Sequence, residues 1–502
     1  MNIARPGGFA VSTVMMVLAV GCGTTVPLSA APASSGQGLT VATNGATAAS
    51  NRTIRSRTDT GTGAGRQAAS VGGSTPSGSR VGAAQGPQLP RQAASGQLSG
   101  TGPLEIGMVY TTNQAEITAA LGTSTTQATS KSVAEALVKG FNAAGGVAGR
   151  KIVAISYGQN PQAPSYESDA SAACATFTED HHVPVVLDFA FGNMGGFQQC
   201  LQRHGVADIT IQYESDNAVS QQSTLAVNTA LMTMDRTYGA VISRLAAIGY
   251  LTPSDQLGVM IEGCPSNLAA YKNSVLPLAQ RIGLKTPKEE VLDCVTGYSG
   301  IGGAASQISN AVLTFRTAHV DRVMIISANE EVGLLLFAND AQSQDYYPGY
   351  ALSSNAQAQG ILGSLAPGQQ PQLHGVGQLP MNDVSTAPSQ PTAAEKACTA
   401  AAARGDARPS NWSDYSLFYG QCAPFLLLQS ALTSTGGVAG AQELMTAIAG
   451  LGGRFQDPGV VGDAASFTGL KHDAPAQVRI FAYASACACM RYIGAPFPAP
   501  AE

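Results

Sequence analysis

Thirteen residues, Gly140 to Ile152 (GFNAAGGVAGRKI), hold the rest of the chain to one kind of architecture. From about Ser130 onward, Val133, Leu137 and Phe141 recur at three- and four-residue steps and mark one face of an amphipathic helix. Gly145, Gly146 and Gly149 then supply the positive φ values and close approach that a chain reversal needs. Lys151 to Tyr157 (KIVAISY) follows as a buried parallel strand. With Leu104 to Tyr110 (LEIGMVY) as the strand before the helix, this is one complete β-α-β return.

The same alternation continues downstream. A helix over about 165–178 leads to the apolar strand Val183 to Phe189 (VPVVLDF), then a glycine-bearing turn, a helix to His204 and a strand from Val206 to Ile211. After a polar stretch the pattern restarts, with strands predicted over 257–262, 290–295 and 322–327 and helices over 235–248, 267–282, 304–318 and 330–341. Strands alternating with helices of about ten to fifteen residues give parallel, doubly wound sheets with right-handed crossovers. The fold class is therefore α/β, with two Rossmann-like units.

The run at 140–152 resembles the INAAGGVNGRKIELV signature of type I periplasmic solute-binding proteins, the leucine/isoleucine/valine-binding class of ABC transporter receptors. The helix Asp414 to Thr433, with Tyr415, Phe418 and Tyr419 near its start, resembles that family's YDAVYLLA helix. The resemblance implies two lobes joined by three crossing segments, with a ligand cleft between them. The crossings are expected near Gln221 to Asn228, His374 to Leu379, and Lys471-His472-Asp473. One lobe would comprise residues 103–228 and 375–470, the other 229–374 and 471–494, leaving 495–502 as a tail. The implied activity is capture of a small polar ligand, an amino acid or an amine, by cleft closure and its delivery to an ABC permease. Such a protein is a monomer, not an enzyme, and needs no cofactor.

The N-terminus reads as an export signal. Arg5 precedes an apolar run from Phe9 to Val20, too short for a membrane span, and Ala19-Val20-Gly21-Cys22 resembles a lipobox. Residues 1–21 would be a lipoprotein signal peptide and Cys22 the lipidated first residue, anchoring an extracytoplasmic protein to the cell membrane. The alternatives for Cys22 are a plain secreted protein or a buried structural cysteine. From Gly23 to Gly102 no aromatic residue occurs, so residues 22–102 cannot offset their ordering entropy and form a tether. As a flexible coil of eighty residues it would span about 50 Å. Residues 1–102 carry seven Arg and one Asp, a net of +6, which leaves −11 on residues 103–502 against the overall −5. An acidic body gives no reason to expect nucleic acid as a partner.

Export makes the other eight cysteines legible as disulfides, and with no Cys-x-x-Cys pair a metal site is not expected. Local bridges fit the order of the chain: Cys174 with Cys200, Cys264 with Cys294, Cys398 with Cys422, and Cys487 with Cys489. The first would join the helices flanking one strand, as a bridge in the resembled family does. The last would close a tight Cys-x-Cys loop.

Ligands in open α/β sheets bind beyond the carboxyl ends of strands. The candidate contacts are Tyr110 and Thr112, Phe191, Gly192 and Asn193, and Tyr213 and Glu214 in the first lobe, with Ser266, Asn267, Asn329 and Glu331 in the second. Glu331, two residues before Gly333, takes the place of the acidic residue that in amino-acid-binding members of the family holds the ligand ammonium. It either binds a cation or merely caps its helix. The Ser and Thr that hold a ligand carboxylate in those members are missing, since the corresponding loops read Phe189-Ala190-Phe191-Gly192-Asn193 and Gln212-Tyr213-Glu214-Ser215-Asp216. Aromatic rings with carboxylates fit a cation or a polar ring-containing ligand, unless Phe189 and Phe191 are sheet-end core. An envelope lipoprotein that senses a ligand, or is structural, is the alternative to a transport receptor.

Enzyme motifs are absent. Gly192 to Gly196 lacks the Lys-Ser/Thr ending of a nucleotide loop. Ser215-Asp216-Asn217 reproduces the S-D-N of penicillin-binding enzymes without their S-x-x-K or K-T-G, and no G-x-S-x-G elbow occurs. His181-His182 beside Glu179-Asp180 reads as a solvated turn.

Overall fold

The computed structural model describes residues 98, 100–113, 129–212, 215–385, 390–436 and 440–501. The expected leader, Cys22 and nearly all of the tether lie outside the described residues. Strands β1 (Leu104–Thr111), β2 (Ile152–Gln159), β3 (Val185–Asp188), β4 (Ala207–Thr210) and β5 (Ala226–Asn228) alternate with helices α1 (Ser130–Ala143), α2 (Tyr166–Ala175), α3 (Phe197–Arg203) and α4 (Asn217–Gln222). They form a parallel sheet in the order β2-β1-β3-β4-β5 with apolar cores on both faces.

The chain then enters a second body. Helix α5 (Met234–Ala247) is followed by β6 (Leu257–Glu262), α6 (Pro265–Ala270), a π turn leading into α7 (Leu276–Arg281), β7 (Lys288–Leu292), α8 (Gly300–Thr317) and β8 (Arg322–Ile326). Next come α9 (Glu330–Ser343), β9 (Gly349–Leu352), α10 (Ala358–Ile361) and β10 (Leu373–Gly377). The chain returns to the first body through α11 (Pro380–Asp383) for α12 (Ala393–Arg404), α13 (Trp412–Thr435) and α14 (Ala441–Leu451). It then crosses back to the hairpin β11 (Gln477–Ala484) and β12 (Cys489–Pro498), which completes a seven-stranded sheet, β12-β11-β10-β9-β8-β6-β7. Two doubly wound sheet bodies are thus joined by three passages of chain.

The glycine-rich return shows why its residues are needed. Asn142 donates from Nδ2 to the Ile152 carbonyl at 2.9 Å and accepts the Ile152 N–H at Oδ1 at 2.7 Å. Its amide stands in for the neighbouring strand that β2, at the sheet edge, lacks. Gly146 sits at φ +91°, and a Cβ there would lie 1.8 Å from the Arg150 carbonyl oxygen. Arg150 in turn donates to the carbonyls of Leu98, Gly102 and Pro103, clamping the chain as it enters β1.

Gly140 serves a longer-range contact. A Cβ on Gly140 would fall 1.8 Å from the Ala401 carbonyl oxygen, and one on Gly405 would fall 1.9 Å from that of Ala136. Helices α1 and α12 therefore pack backbone against backbone. The stretch Pro380–Asn411, polar in composition, holds this helix, started by a Thr392–Glu395 capping box and bonded to α13 by Cys398–Cys422.

Three expected boundaries differ. Gln221 to Asn228, read as the first crossing, forms the end of α4 and then β5, so the passage begins one strand later. His374 to Leu379, read as the second, is mostly β10. The tail set to begin at residue 495 falls inside β12, whose prolines are tolerated because it is an edge strand.

The first and third passages run side by side. Asn228 donates to the His472 carbonyl at 2.8 Å, and Ala474 donates to that of Asn228 at 2.7 Å. Asp473, between them, is buried, ion-paired to Arg236 of α5 and to Lys471 at 2.9 Å, and accepts the Thr233 N–H at 3.2 Å.

Two outcomes follow from this packing. Gly140→Ala pushes α1 off α12 and lowers stability in urea denaturation by about 1–3 kcal/mol, as overpacked contacts do. Asp473→Asn leaves Arg236 buried without its counter-charge and lowers it by about 3–5 kcal/mol in the same measurement.

Candidate ligand cleft

Parallel strands put all their carboxyl ends on one edge, and here the two edges face each other. Tyr166, just after β2, donates its N–H to the Thr296 carbonyl at 3.0 Å, and Tyr298 donates to that of Ala163 at 3.1 Å. A Cβ on Gly297, between them, would lie 2.1 Å from the Pro164 carbonyl oxygen. Farther along, Ser266 Oγ donates to Asp216 Oδ2 at 2.8 Å, and the Asn217 N–H to Asp235 Oδ2 at 2.8 Å. The lobes are closed on one another.

On the seven-stranded side, Glu262 at the end of β6 is a hub. Its Oε1 accepts the Val295 N–H at 3.1 Å, its Oε2 accepts Ser327 Oγ at 2.7 Å, and its carbonyl accepts Asn267 Nδ2 at 3.0 Å. Ser327 Oγ also receives the Asn329 N–H at 2.9 Å. Ser266 and Asn267 at the start of α6, and Asn329 and Glu331 at the start of α9, are thereby held around one residue, Glu262. Asn329 is exposed, whereas Asn267 is buried and spends its amide on that link. Cys264–Cys294 ties the loops after β6 and β7.

Glu330 and Glu331 face different surroundings. Glu330 is fully buried, accepting the Ser353 N–H at 3.0 Å, the Ser353 hydroxyl, and Tyr238 OH at 3.5 Å. Glu331 is half-buried, and its Oε2 accepts Gln357 Nε2 at 2.6 Å. That neutral partner leaves the carboxylate without a counter-cation, and no salt bridge among the described residues involves it.

The five-stranded side is arranged differently from what its sequence predicts. Phe191 lies in the core, fully buried, with its ring 4.8 Å from Phe197 and 6.3 Å from Tyr157. It takes the sheet-end core role, because the loop after β3 folds inward. The N–H groups of Ala190, Phe191 and Gly192 all point to the Asp188 carboxylate, at 2.9, 2.8 and 2.5 Å. Asn193 Oδ1 accepts Gln199 Nε2 at 2.6 Å. Tyr110 is nearly buried, with Lys131 Nζ 5.8 Å from its ring, and Thr112 commits its hydroxyl to the Gln159 carbonyl at 2.9 Å. Tyr213 and Glu214 lie outside the described residues.

Sequence reading missed Asp188, Glu262 and Tyr166. The signal for the first two was a lone carboxylate closing an apolar strand, in VVLD and LGVMIE. Tyr166 carried none, since only the closed lobes bring it near Glu262. Burial, then Glu262 and Tyr298, raise its phenol pKa.

Four disulfides join the cysteines Cys174–Cys200, Cys264–Cys294, Cys398–Cys422 and Cys487–Cys489. The two clusters of metal-capable side chains among the described residues, Cys174-Cys200-His204 and Glu262-Cys264-Cys294, each contain both sulfurs of a disulfide, which do not bind as thiolates. A groove of about 500 Å³ lies between α4, α5 and the C-terminal residues, lined by Asn217, Asp235, Arg236, Ser243, Asn273 and Pro500. Among the described residues no helix is long and apolar enough to cross a membrane.

No protein-family model matches the chain, and no curated protein sequence does. Solved structures do. A possible leucine/isoleucine/valine-binding protein from Rhodopirellula baltica superposes with a TM-score of 0.56 at 12% identity, over 78% of this chain and 97% of its own. The chain has the fold of the type I periplasmic binding proteins. A branched-chain amino acid ABC transporter structure from Thermus thermophilus with bound valine matches with a TM-score of 0.56 at 13% identity, covering 79% of this chain and 97% of that one. A solute-binding protein of an ABC transporter from Rhodopseudomonas palustris HaA2, in complex with p-hydroxybenzoic acid, matches with a TM-score of 0.57 at 11% identity over 79% and 97%. These neighbours are binding proteins, not enzymes.

Buried carboxyls also govern how stability responds to pH. Burial pushes the carboxyls of Glu330, Glu331 and Asp383 up to about 7 and that of Asp457 up to about 8. Unfolded, such groups titrate near ~4, so above that pH the native state holds more protons and stability falls as pH rises through the shifted values. Asp473 acts oppositely: burial alone would raise its carboxyl, but Lys471 and Arg236 outweigh it and hold it low. Its contribution is present above its unfolded value and is lost only as pH falls through the lowered one. The thermal midpoint should therefore be higher at about pH 5.5 than at about pH 8. Differential scanning calorimetry should show that difference shrink in Asp457→Asn.

Proposed function

We propose that this chain is an extracytoplasmic solute-binding lipoprotein that captures a small polar ligand, an amino acid or an amine, between its lobes and delivers it to an ABC permease. The observation that carries this reading is the pair of carboxylates, Glu262 at the end of β6 and Glu331 at the start of α9, at the edge that faces the opposite lobe, Glu331 without a cationic partner. A ligand cation bridging the lobes stabilises the closed form by its differential affinity for it. The fold neighbours bound to valine and p-hydroxybenzoic acid support capture of a small molecule. The four disulfides fit an oxidising compartment outside the cytoplasm. In this reading Cys22 carries the lipid, residues 22–102 let the lobes reach the permease, and the protein acts as a monomer.

A second reading is an envelope lipoprotein that uses the same fold for sensing or structure. The main-chain bonds between Tyr166 and Thr296 and between Tyr298 and Ala163 favour it, because they join the lobes directly.

A thermal-shift series on the full chain with amino acids, polyamines, quaternary amines, sugars and aromatic acids separates the two. A ligand that binds only the native state raises the midpoint by mass action. Transport capture predicts a saturable shift whose apparent affinity falls at least about ten-fold in Glu331→Gln, the loss of one charge-assisted contact. A cooperative protein that no compound shifts would favour the second reading.

A further inference from the structure

We propose that Asp188 sets the charge of the ligand: it fills the anion-binding loop of the five-stranded lobe with the chain's own carboxylate, so the cleft takes amines that carry no carboxylate. The inference rests on the cleft being a ligand site, as proposed above.

Strand β3 is the middle strand of its sheet, and the loop beyond it is where an open α/β sheet offers amides to a ligand. Successive N–H groups turned to one point make a concavity that holds an anion. Ala190, Phe191 and Gly192 form such a concavity, with Gly192 at φ +52°, and the group it holds is Asp188, fully buried. Thr210 Oγ1 adds a contact at 3.4 Å. Burial raises the pKa of the Asp188 carboxyl, and the three amides, which can only donate, act against that burial in favour of its charged form. The subsite that would receive a ligand carboxylate is already occupied.

Nothing nearby cancels that charge, since Asp188 takes part in no salt bridge among the described residues. Across the cleft lie Glu262, at the end of β6, and Glu331, at the start of α9, both hydrogen-bonded by neutral donors. Lys131, near Tyr110, lies 3.8 Å from Glu135, which offsets it. A ligand carboxylate would meet the carboxylates of both lobes and find the amides of Ala190, Phe191 and Gly192 already taken, whereas an ammonium would meet groups of opposite charge on both.

If Asp188 served only to form the turn, its charge would not matter to ligand choice. Matched pairs differing by one carboxylate decide this. Calorimetric titration of the full chain would compare lysine with cadaverine, histidine with histamine, tyrosine with tyramine and leucine with isopentylamine. In every pair that binds, the wild type should hold the amine more than about ten-fold tighter than its amino acid, the effect of one like-charge contact. Asp188→Asn keeps an oxygen for the amides but removes the charge, and should narrow that preference to within about three-fold. An amino acid bound as tightly as its amine overturns the inference and leaves the binding function standing. An amine preference unchanged in Asp188→Asn overturns it too, while failure of every pair to bind overturns both. The wild-type comparison decides even if the variant does not fold.

Discussion

The two-lobed body depends on one buried ion pair. Asp473 lies on the last passage between the lobes, and Arg236 lies in the first turn of the helix that opens the second lobe. Their pairing, with Lys471 and the Thr233 N–H on the same carboxylate, fastens two passages that are far apart in sequence. Arg236 Nε also donates to the Pro500 carbonyl at 2.9 Å, drawing the end of the chain to the same point. A buried pair is poor value as raw stability. Its effect here is geometric: it fastens the third passage to the start of the helix that follows the first, and so holds the two passages side by side.

The acidic cleft is a consequence of that placement. Glu262 serves neighbouring loops at once, taking hydrogen bonds from the residues after β7 and β8 while its own strand supplies the carbonyl for Asn267. Once these loops converge, Glu331 presents a carboxylate at a helix start, where the dipole stabilises its negative charge. In the other lobe Asp188 performs a similar service for a single loop, at the cost of the amides it consumes. The two lobes are alike in fold but offer unlike chemistry.

Much of this fold was legible because its strands are continuous apolar runs and its turns are marked by glycine. VPVVLDF, LEIGMVY and the GGVAG return could be read from local chemistry alone. β12 was not, because Pro496 and Pro498 argue against a strand unless its place at the sheet edge is known. Helix α12 was hidden for another reason. Its alanines pack against α1 only because Gly140 and Gly405 let two backbones touch, a contact about 265 residues apart in sequence that no periodicity carries. The site was less legible than the fold. Phe191 and Asn193 stand where ligand contacts belong by strand order, yet the inward turn onto Asp188 assigns one to the core and ties the other to Gln199.

The disulfides bear on how such a chain is made. Their pairs follow one another along the sequence without interleaving, and none joins one lobe to the other. A chain threaded through a membrane N-terminus first would present each cysteine's partner before the next pair emerged. Oxidation in order of appearance then yields the native set without later reshuffling. Because every bridge stays within a lobe, finishing the covalent structure leaves the pivot between the lobes as free as it was before.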